Sequence, residues 1–318
     1  MITVKTSHNH IWMPECVTAD IIKEYQQTGR AIINLNAEGP CASSVGLYNL
    51  LDQIVGKFGF NKKQIIIQTG NREEVHPEYT IRKQNINAWA KQTYKTAINN
   101  GFAPEEFRAC KTLKNRFGCM YNIPSWNRLL LLSHIRYKTT NQSLLACNGT
   151  WESAQHNSIY LNPVTDFCPE EFPNIFKLLI DGIDPLPEHP GHKPDEVENT
   201  KVLKFYNDFF VDVVAETYTN GLTFFPTEKT FRPIFGFTPF IIFGPQGFLS
   251  TLKSDYNFLS FDAWWDESYD NYQNYERIQK MYEVIEYIDS LSDSKISKIY
   301  NEMLPVLEHN FTQLKMFK

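Results

Sequence analysis

The chain has 318 residues, with 31 Lys plus Arg against 36 Asp plus Glu, for a formal charge of −5 with histidine neutral. Hydrophobic residues at 42% and charged residues at 21% exclude disorder and a coiled coil, and the length suits two domains or one large one. The mild acidity provides no general polycationic surface for nucleic acid, although a local basic groove can sit on an acidic protein.

The stretch from Met1 to His8 lacks the apolar segment of a signal peptide, and no apolar run approaches a membrane span. A soluble, cytoplasmic chain is expected. Ala31 to Leu35 reads as a buried strand and Asn36 to Pro40 as a polar, Gly-containing loop. Val45 to Phe58 carries Leu47, Leu50, Leu51, Ile54, Val55 and Phe58 at helical spacing. Gln64 to Gln68 is the next strand, ending at a Thr69-Gly70-Asn71 turn, and Ile86 to Ile98 a further helix. This alternation predicts an open parallel α/β sheet.

The rhythm restarts at Arg116 to Met120, a strand, followed by a loop from Tyr121 to Ser125 and a helix from Trp126 to Ile135 that carries Arg128. Two Pro-rich stretches, Asn162 to Pro173 and Asp184 to Pro194, suggest long loops. Phe210 to Val214 is a strand and Glu228 to Phe235 a short helix. Phe240 to Phe243 is a strand buried on both faces. Helices follow at Gln246 to Tyr256, Glu276 to Ser290 and Ser294 to His309. Aromatic residues, 14% of the chain, thicken between Phe205 and Tyr287, so the larger core is expected there.

The six cysteines (Cys16, Cys41, Cys110, Cys119, Cys147, Cys168) form no C-x-x-C pair, which predicts reduced thiols and no zinc ribbon. No G-x-G-x-x-G, no G-x-x-x-x-G-K-[ST] and no G-x-S-x-G occurs, so neither a Rossmann dinucleotide site, a P-loop nor a hydrolase elbow is expected.

The densest chemical cluster is Phe225-Pro226-Thr227-Glu228-Lys229-Thr230-Phe231-Arg232-Pro233-Ile234. With Thr227 as N-cap, the free N–H groups and dipole of the helix start favour an anion, and Lys229 adds a mobile cation. Glu228 is placed to accept from a ribose diol. The same residues also describe an ordinary capped helix. Glu216 ends an apolar strand, where ligands of α/β sheets gather; it suits either a sugar contact or the ordering of the Glu228 loop. Asp266, Glu267 and Asp270 fit either a carboxylate site or a helix-start cap packed on the core, with Tyr269 buried.

The Glu-Lys-Thr segment, followed by Pro233-Ile234, Pro239-Phe240 and Gly244, resembles the donor-binding motif of nucleotide-sugar glycosyltransferases of the GT-B type. It is especially similar to the fucosyltransferase-like group and related viral and phage proteins. Three other segments resemble that group in order: Phe117 to Asn122 with Trp126-Asn127-Arg128, Val213 to Thr217, and Phe258 to Phe261 with Trp265 to Asp270. An Asn127-Arg128 pair stands where His-Arg is usual.

The resemblance implies two Rossmann-like domains facing a cleft: an acceptor domain over 1–110, a donor domain over 111–290, and a C-terminal helix over 291–318 packing back on the first. It implies that Glu228 contacts the donor ribose, that Lys229, Thr230 and Arg128 neutralise the diphosphate, and that Asn122 belongs to the same site. No metal and no cofactor beyond the nucleotide-sugar co-substrate is expected. Transfer to a hydroxyl also needs a base; Glu38, in the loop after the first clear strand, is the candidate. His8 and His10 titrate near neutrality and His10 is a lesser candidate. Gly70-Asn71-Arg72 is placed to line the same edge.

The acceptor is a glycan, lipid or protein hydroxyl, or else a hydroxymethylated base in viral DNA. The latter demands base flipping and a basic groove, for which Lys91, Lys95, Lys111, Lys114 and Arg116 are candidates. A binding protein that keeps the fold without turnover is the non-enzymatic alternative.

Overall fold

The computed structural model describes all residues except 1, 8–9, 13–14, 36–41, 43–45, 71–73, 84–87, 110, 122–123, 148–167, 184–200, 217–218, 220–223 and 318. The chain divides into two compact units: the first takes residues 1–87, 217–225 and 244–246, the second 88–216, 226–243 and 247–318.

The first unit holds β1 (Ile2–Ser7), β2 (His10–Trp12), α1 (Glu15–Thr28), β3 (Ala31–Leu35), α2 (Leu47–Phe58), β4 (Ile65–Thr69) and β5 (Thr80–Lys83). The sheet order is β2-β1-β3-β4-β5, with β2 antiparallel to β1 and the rest parallel. In β3 and β4 burial alternates: Ala31, Ile33, Leu35, Ile65 and Ile67 are sealed, and their neighbours are half-buried. Ile21 of α1 and Leu47, Leu51 and Ile54 of α2 fill the same core. Gly59 ends α2 in the left-handed region (φ 68°), where its N–H reaches the Val55 carbonyl.

The second unit begins with α3 (Ala88–Asn99) and α4 (Pro104–Ala109), then β6 (Asn115–Tyr121), α5 (Trp126–Lys138), β7 (Ser143–Cys147) and α6 (Phe172–Asp181). After them come β8 (Phe209–Ala215), α7 (Glu228–Phe235), β9 (Phe240–Phe243), α8 (Phe248–Tyr256), α9 (Asn274–Ser290) and α10 (Asp293–Met316). Its strands are all parallel, in the order β7-β6-β8-β9. The described residues of β8 and β9 are all buried, as a doubly covered parallel sheet demands. Gly118 lies where the Phe209 ring crosses β6, since a Cβ there would sit 2.5 Å from that ring.

Two helical layers complete the unit. Around α5, Leu129 to Leu132 are all sealed, and the Tyr282 hydroxyl of α9 donates to the Leu130 carbonyl (3.2 Å). Around α7, Phe235 meets Tyr94 of α3, Phe107 of α4 and Phe311 of α10 edge to face. These rings tie α3, α4 and α10 to one core. Among the described residues no helix is long and apolar enough to cross a membrane. Of the expected 162–173 and 184–194 loops, 162–167 and 184–194 lie outside the described residues; the rest of the first is not a loop, since Pro169–Glu171 form a 3₁₀ turn and Phe172-Pro173 open α6.

Candidate functional site at the carboxyl ends of β6 and β8

In the second sheet the chain runs from β6 outward to β7, then returns to β8 on the other side of β6. Strand order therefore reverses between β6 and β8. The crevice outside the carboxyl ends of such a pair is where open parallel sheets hold ligands. Three sequence candidates gather there: Arg128, Glu216 and the start of α7.

Arg128 is only 7% exposed. Its Nη2 donates to the carbonyl of Ala215, the last residue of β8 (3.4 Å), and its guanidinium lies 5.5 Å from the Tyr121 ring centre at the end of β6. The Tyr121 hydroxyl donates to the Val213 carbonyl (2.8 Å). Arg128 thus bridges the reversal rather than standing in solvent.

Glu216 is 1% exposed and follows β8 directly. Its carboxylate accepts the Thr227 N–H (3.0 Å), the Thr227 hydroxyl (2.5 Å) and the Thr230 hydroxyl. Thr227 caps α7: its backbone is extended (φ −99°) and its Oγ1 accepts the Lys229 N–H (3.3 Å). Of the two roles expected for Glu216, these bonds express the ordering of the loop before Glu228.

Lys229 Nζ lies 3.0 Å from Glu228 Oε1 and 3.1 Å from Thr227 Oγ1. Burial pushes the Glu228 carboxyl up, but Lys229 and Arg232 outweigh it and hold the group down at about 2. Glu228 is therefore anionic throughout the neutral range, with the Lys229 ammonium as its ion-pair partner at the helix start.

Beneath α7 runs a buried charge chain that sequence reasoning missed. Asp212 of β8 accepts the Tyr206 hydroxyl (2.6 Å). Burial raises the Asp212 carboxyl to about 6, against that bond and the cations Arg232 and Lys111. The Lys111 ammonium donates to the carbonyls of Tyr206 and Gly236 (2.8 Å for the latter) and to Thr238 Oγ1 (2.5 Å). An Asp inside an otherwise apolar strand was the one available signal.

This burial takes Lys111 and Arg116 out of the expected basic groove, while Lys91, Lys95 and Lys114 stay exposed. The Lys111 ammonium points inward. Arg116, itself buried, donates to the Leu291 carbonyl (2.8 Å) and pairs with Asp293 (3.2 Å). Lys114 stands 3.6 Å from Asp208.

The late carboxylates act as caps. Asp266 accepts the Ser268 N–H (2.8 Å) and hydroxyl (2.9 Å). Asp270 accepts the N–H groups of Leu249 and Ser250 at the start of α8 (both 3.0 Å) and pairs with the sealed Arg277 (2.9 Å). Tyr269 is fully buried. Glu267 Oε1 accepts the Phe261 N–H (2.8 Å), and burial raises its carboxyl to about 7. Among the described residues no group of three or more His, Cys, Asp and Glu is arranged to hold a metal ion.

Glu38 and Asn122 lie outside the described residues, as do Asn71 and Arg72; His10 is described only as part of β2. In the first unit, Glu74 was also missed. Past the end of β4, its carboxylate accepts the Ala42 N–H (2.8 Å) and the Tyr48 hydroxyl (2.6 Å), fixing a point in the loop after β3. A Glu in a polar loop carries no sequence signal for such a role.

Comparison of the chain with protein-family models, characterised proteins and solved structures found no match.

Proposed function

We propose that this chain is a glycosyltransferase of GT-B-like design that moves a sugar from a nucleoside-diphosphate sugar to a hydroxyl acceptor. The observation that carries the reading is the strand-order reversal between β6 and β8, with Arg128 and the capped start of α7 at its carboxyl edge. The leaving diphosphate gathers negative charge. Fixed cations and a helix N-terminus stabilise that charge without reorganising. In this reading the diphosphate takes Lys229 from Glu228, and the freed Glu228 carboxylate accepts from the ribose. Glu216 acts one step back, holding Thr227 and Thr230 so that the helix start faces the donor.

The acceptor half of the reaction falls to the first domain, with Glu38 as the proposed base. A glycan, lipid or protein hydroxyl is favoured over duplex DNA, because Lys111 and Arg116 are committed to internal partners. The test is nucleoside diphosphate release from a panel of nucleotide sugars. Turnover of at least one donor, lost in Glu228→Ala and Lys229→Ala, supports the reading. If no donor binds or reacts, or if both variants behave as wild type, it fails. Glu38→Gln is expected to abolish transfer while leaving donor binding intact.

A further inference from the structure

The α7 site stands on the buried charge chain beneath it, and Arg232 belongs to both. One turn apart on the helix, Glu228 and Arg232 share a face, and α7 packs on β8, which carries Asp212. Arg232 is 7% exposed and Asp212 4%. Burial disfavours the guanidinium, but Tyr206, Glu228, Asp212 and Glu216 outweigh it and keep it charged. One cation thus serves two carboxylates, Glu228 at the helix start and Asp212 in the sheet.

The other groups that face Asp212 are fixed in charge. The Tyr206 hydroxyl, from the turn before β8, donates to it (2.6 Å) and is kept neutral by burial. From β6, burial likewise keeps the Cys119 thiol and the Tyr121 phenol neutral. Burial pushes Lys111, ahead of β6, downward, yet it meets three acceptors, the Tyr206 and Gly236 carbonyls and Thr238 Oγ1, as an ammonium with three N–H groups does. Asp212, raised by burial to about 6, is the member of this cluster that changes charge near neutrality.

The Glu228 side chain is only 12% exposed. A ligand anion that takes Lys229 from it leaves a buried carboxylate in need of a cation. We propose that Arg232 is a positioning residue of the α7 site: when an anionic donor engages Lys229, Arg232 holds Glu228 ionised, and Asp212, left with less of that cation, takes up a proton from solvent. The inference rests on the reading of α7 as the donor site.

A neutral Asp212 leaves a surplus of positive charge under α7, so the donor binds more tightly as pH falls. If the bound anion makes the Asp212 proton ten times harder to lose, binding is about eightfold tighter at pH 5 than at pH 8 and draws in about 0.4 proton at pH 7. The probes are UDP-glucose, UDP-N-acetylglucosamine, dTDP-glucose and GDP-mannose, whose diphosphates do not titrate in this range. Calorimetric titration of the full chain in two buffers of unlike ionisation enthalpy reads the uptake directly. Asp212→Asn should bind the donor with neither uptake nor pH dependence. Arg232→Gln should lose the uptake, and Arg232→Lys should restore it. Tyr206→Phe deletes a bond that favours the carboxylate, so the pH dependence should persist with its midpoint moved upward, a readout that holds even if Asp212→Asn does not fold. Equal heats of binding in both buffers, an uptake that survives in Asp212→Asn, or an unmoved midpoint in Tyr206→Phe overturns the inference while the donor site stands. Binding of none of the four overturns the donor reading, and this inference with it.

Discussion

At the scale of single residues, Glu216 organises the α7 site with one carboxylate and three donors, two of them from Thr227. Deleting it strands buried donors, so Glu216→Ala should cost about 3 kcal/mol in urea unfolding. Thr227→Ala alone should cost about 1 kcal/mol as a lost cap. Because the two share bonds, the double variant should cost clearly less than the sum; strict additivity would show that the network is not a unit.

Glu267 gives a pH signature. Its folded-state pKa, about 7, stands above the ordinary 4.5, so the folded form holds the proton more tightly than the unfolded form. Its stabilising effect is complete below pH 4.5 and is lost as pH rises toward 7. Glu267→Gln should flatten stability over that window and gain on the order of 2 kcal/mol over wild type at pH 8. Parallel pH curves for the two proteins would refute it.

The residues legible in the sequence were those whose role is local. Pro226-Thr227-Glu228 announces a helix start, and Thr227 does cap it. A cap was one of the two readings of the carboxylates after Trp265, yet Asp270 caps α8, some twenty residues back, rather than its own turn. Arg277, Asp212 and Lys111 were illegible because the sheet and the packing of α9 create their partners.

At the scale of elements, strands buried on both faces and strongly periodic helices were readable. Phe240–Phe243 and Glu228–Phe235 fall where the apolar run and the cap put them. Strands β1, β2, β5 and β7 went unread, as did α1 and α4, because short or half-exposed segments lack a decisive period; α6 went unread although its apolar positions are strongly periodic, because its first turn carries Pro173, which reads as part of a loop. Close approach of elements is equally silent in a sequence. At Gly236 a Cβ would come within 2.8–2.9 Å of the Tyr206 side chain, whose hydroxyl holds Asp212. Gly236→Ala should therefore destabilise by about 1–3 kcal/mol, as overpacking does, and should also change the pH dependence of stability near 6, where Asp212 titrates. Gly118→Ala, crowding Phe209 instead, should match the loss without the altered pH dependence. Identical pH profiles for the two variants would contradict this.

At the scale of the whole molecule, two units with separate cores need not melt together. Calorimetry should resolve two transitions. A nucleoside diphosphate at about a hundredfold excess over its Kd should stabilise the second unit by about 2.7 kcal/mol and leave the other transition in place. A shift confined to the first unit's transition would move the anion site away from α7. The alternation of strand and helix disclosed the α/β class. The order β7-β6-β8-β9, from which the site follows, is set by which strands pair and is not written in any local pattern.

Residues 217–225 belong to the first unit, while Glu216 and Thr227 on either side of them belong to the second. The bonds from Glu216 to the Thr227 N–H and hydroxyl close that excursion at its base. A segment tied off at its neck can be lengthened, shortened or rewritten at little entropic cost to the join behind it. The strand-to-helix junction therefore does not depend on the length of the segment that it closes, although Phe224 and Phe225 within that segment are buried and held to their packing.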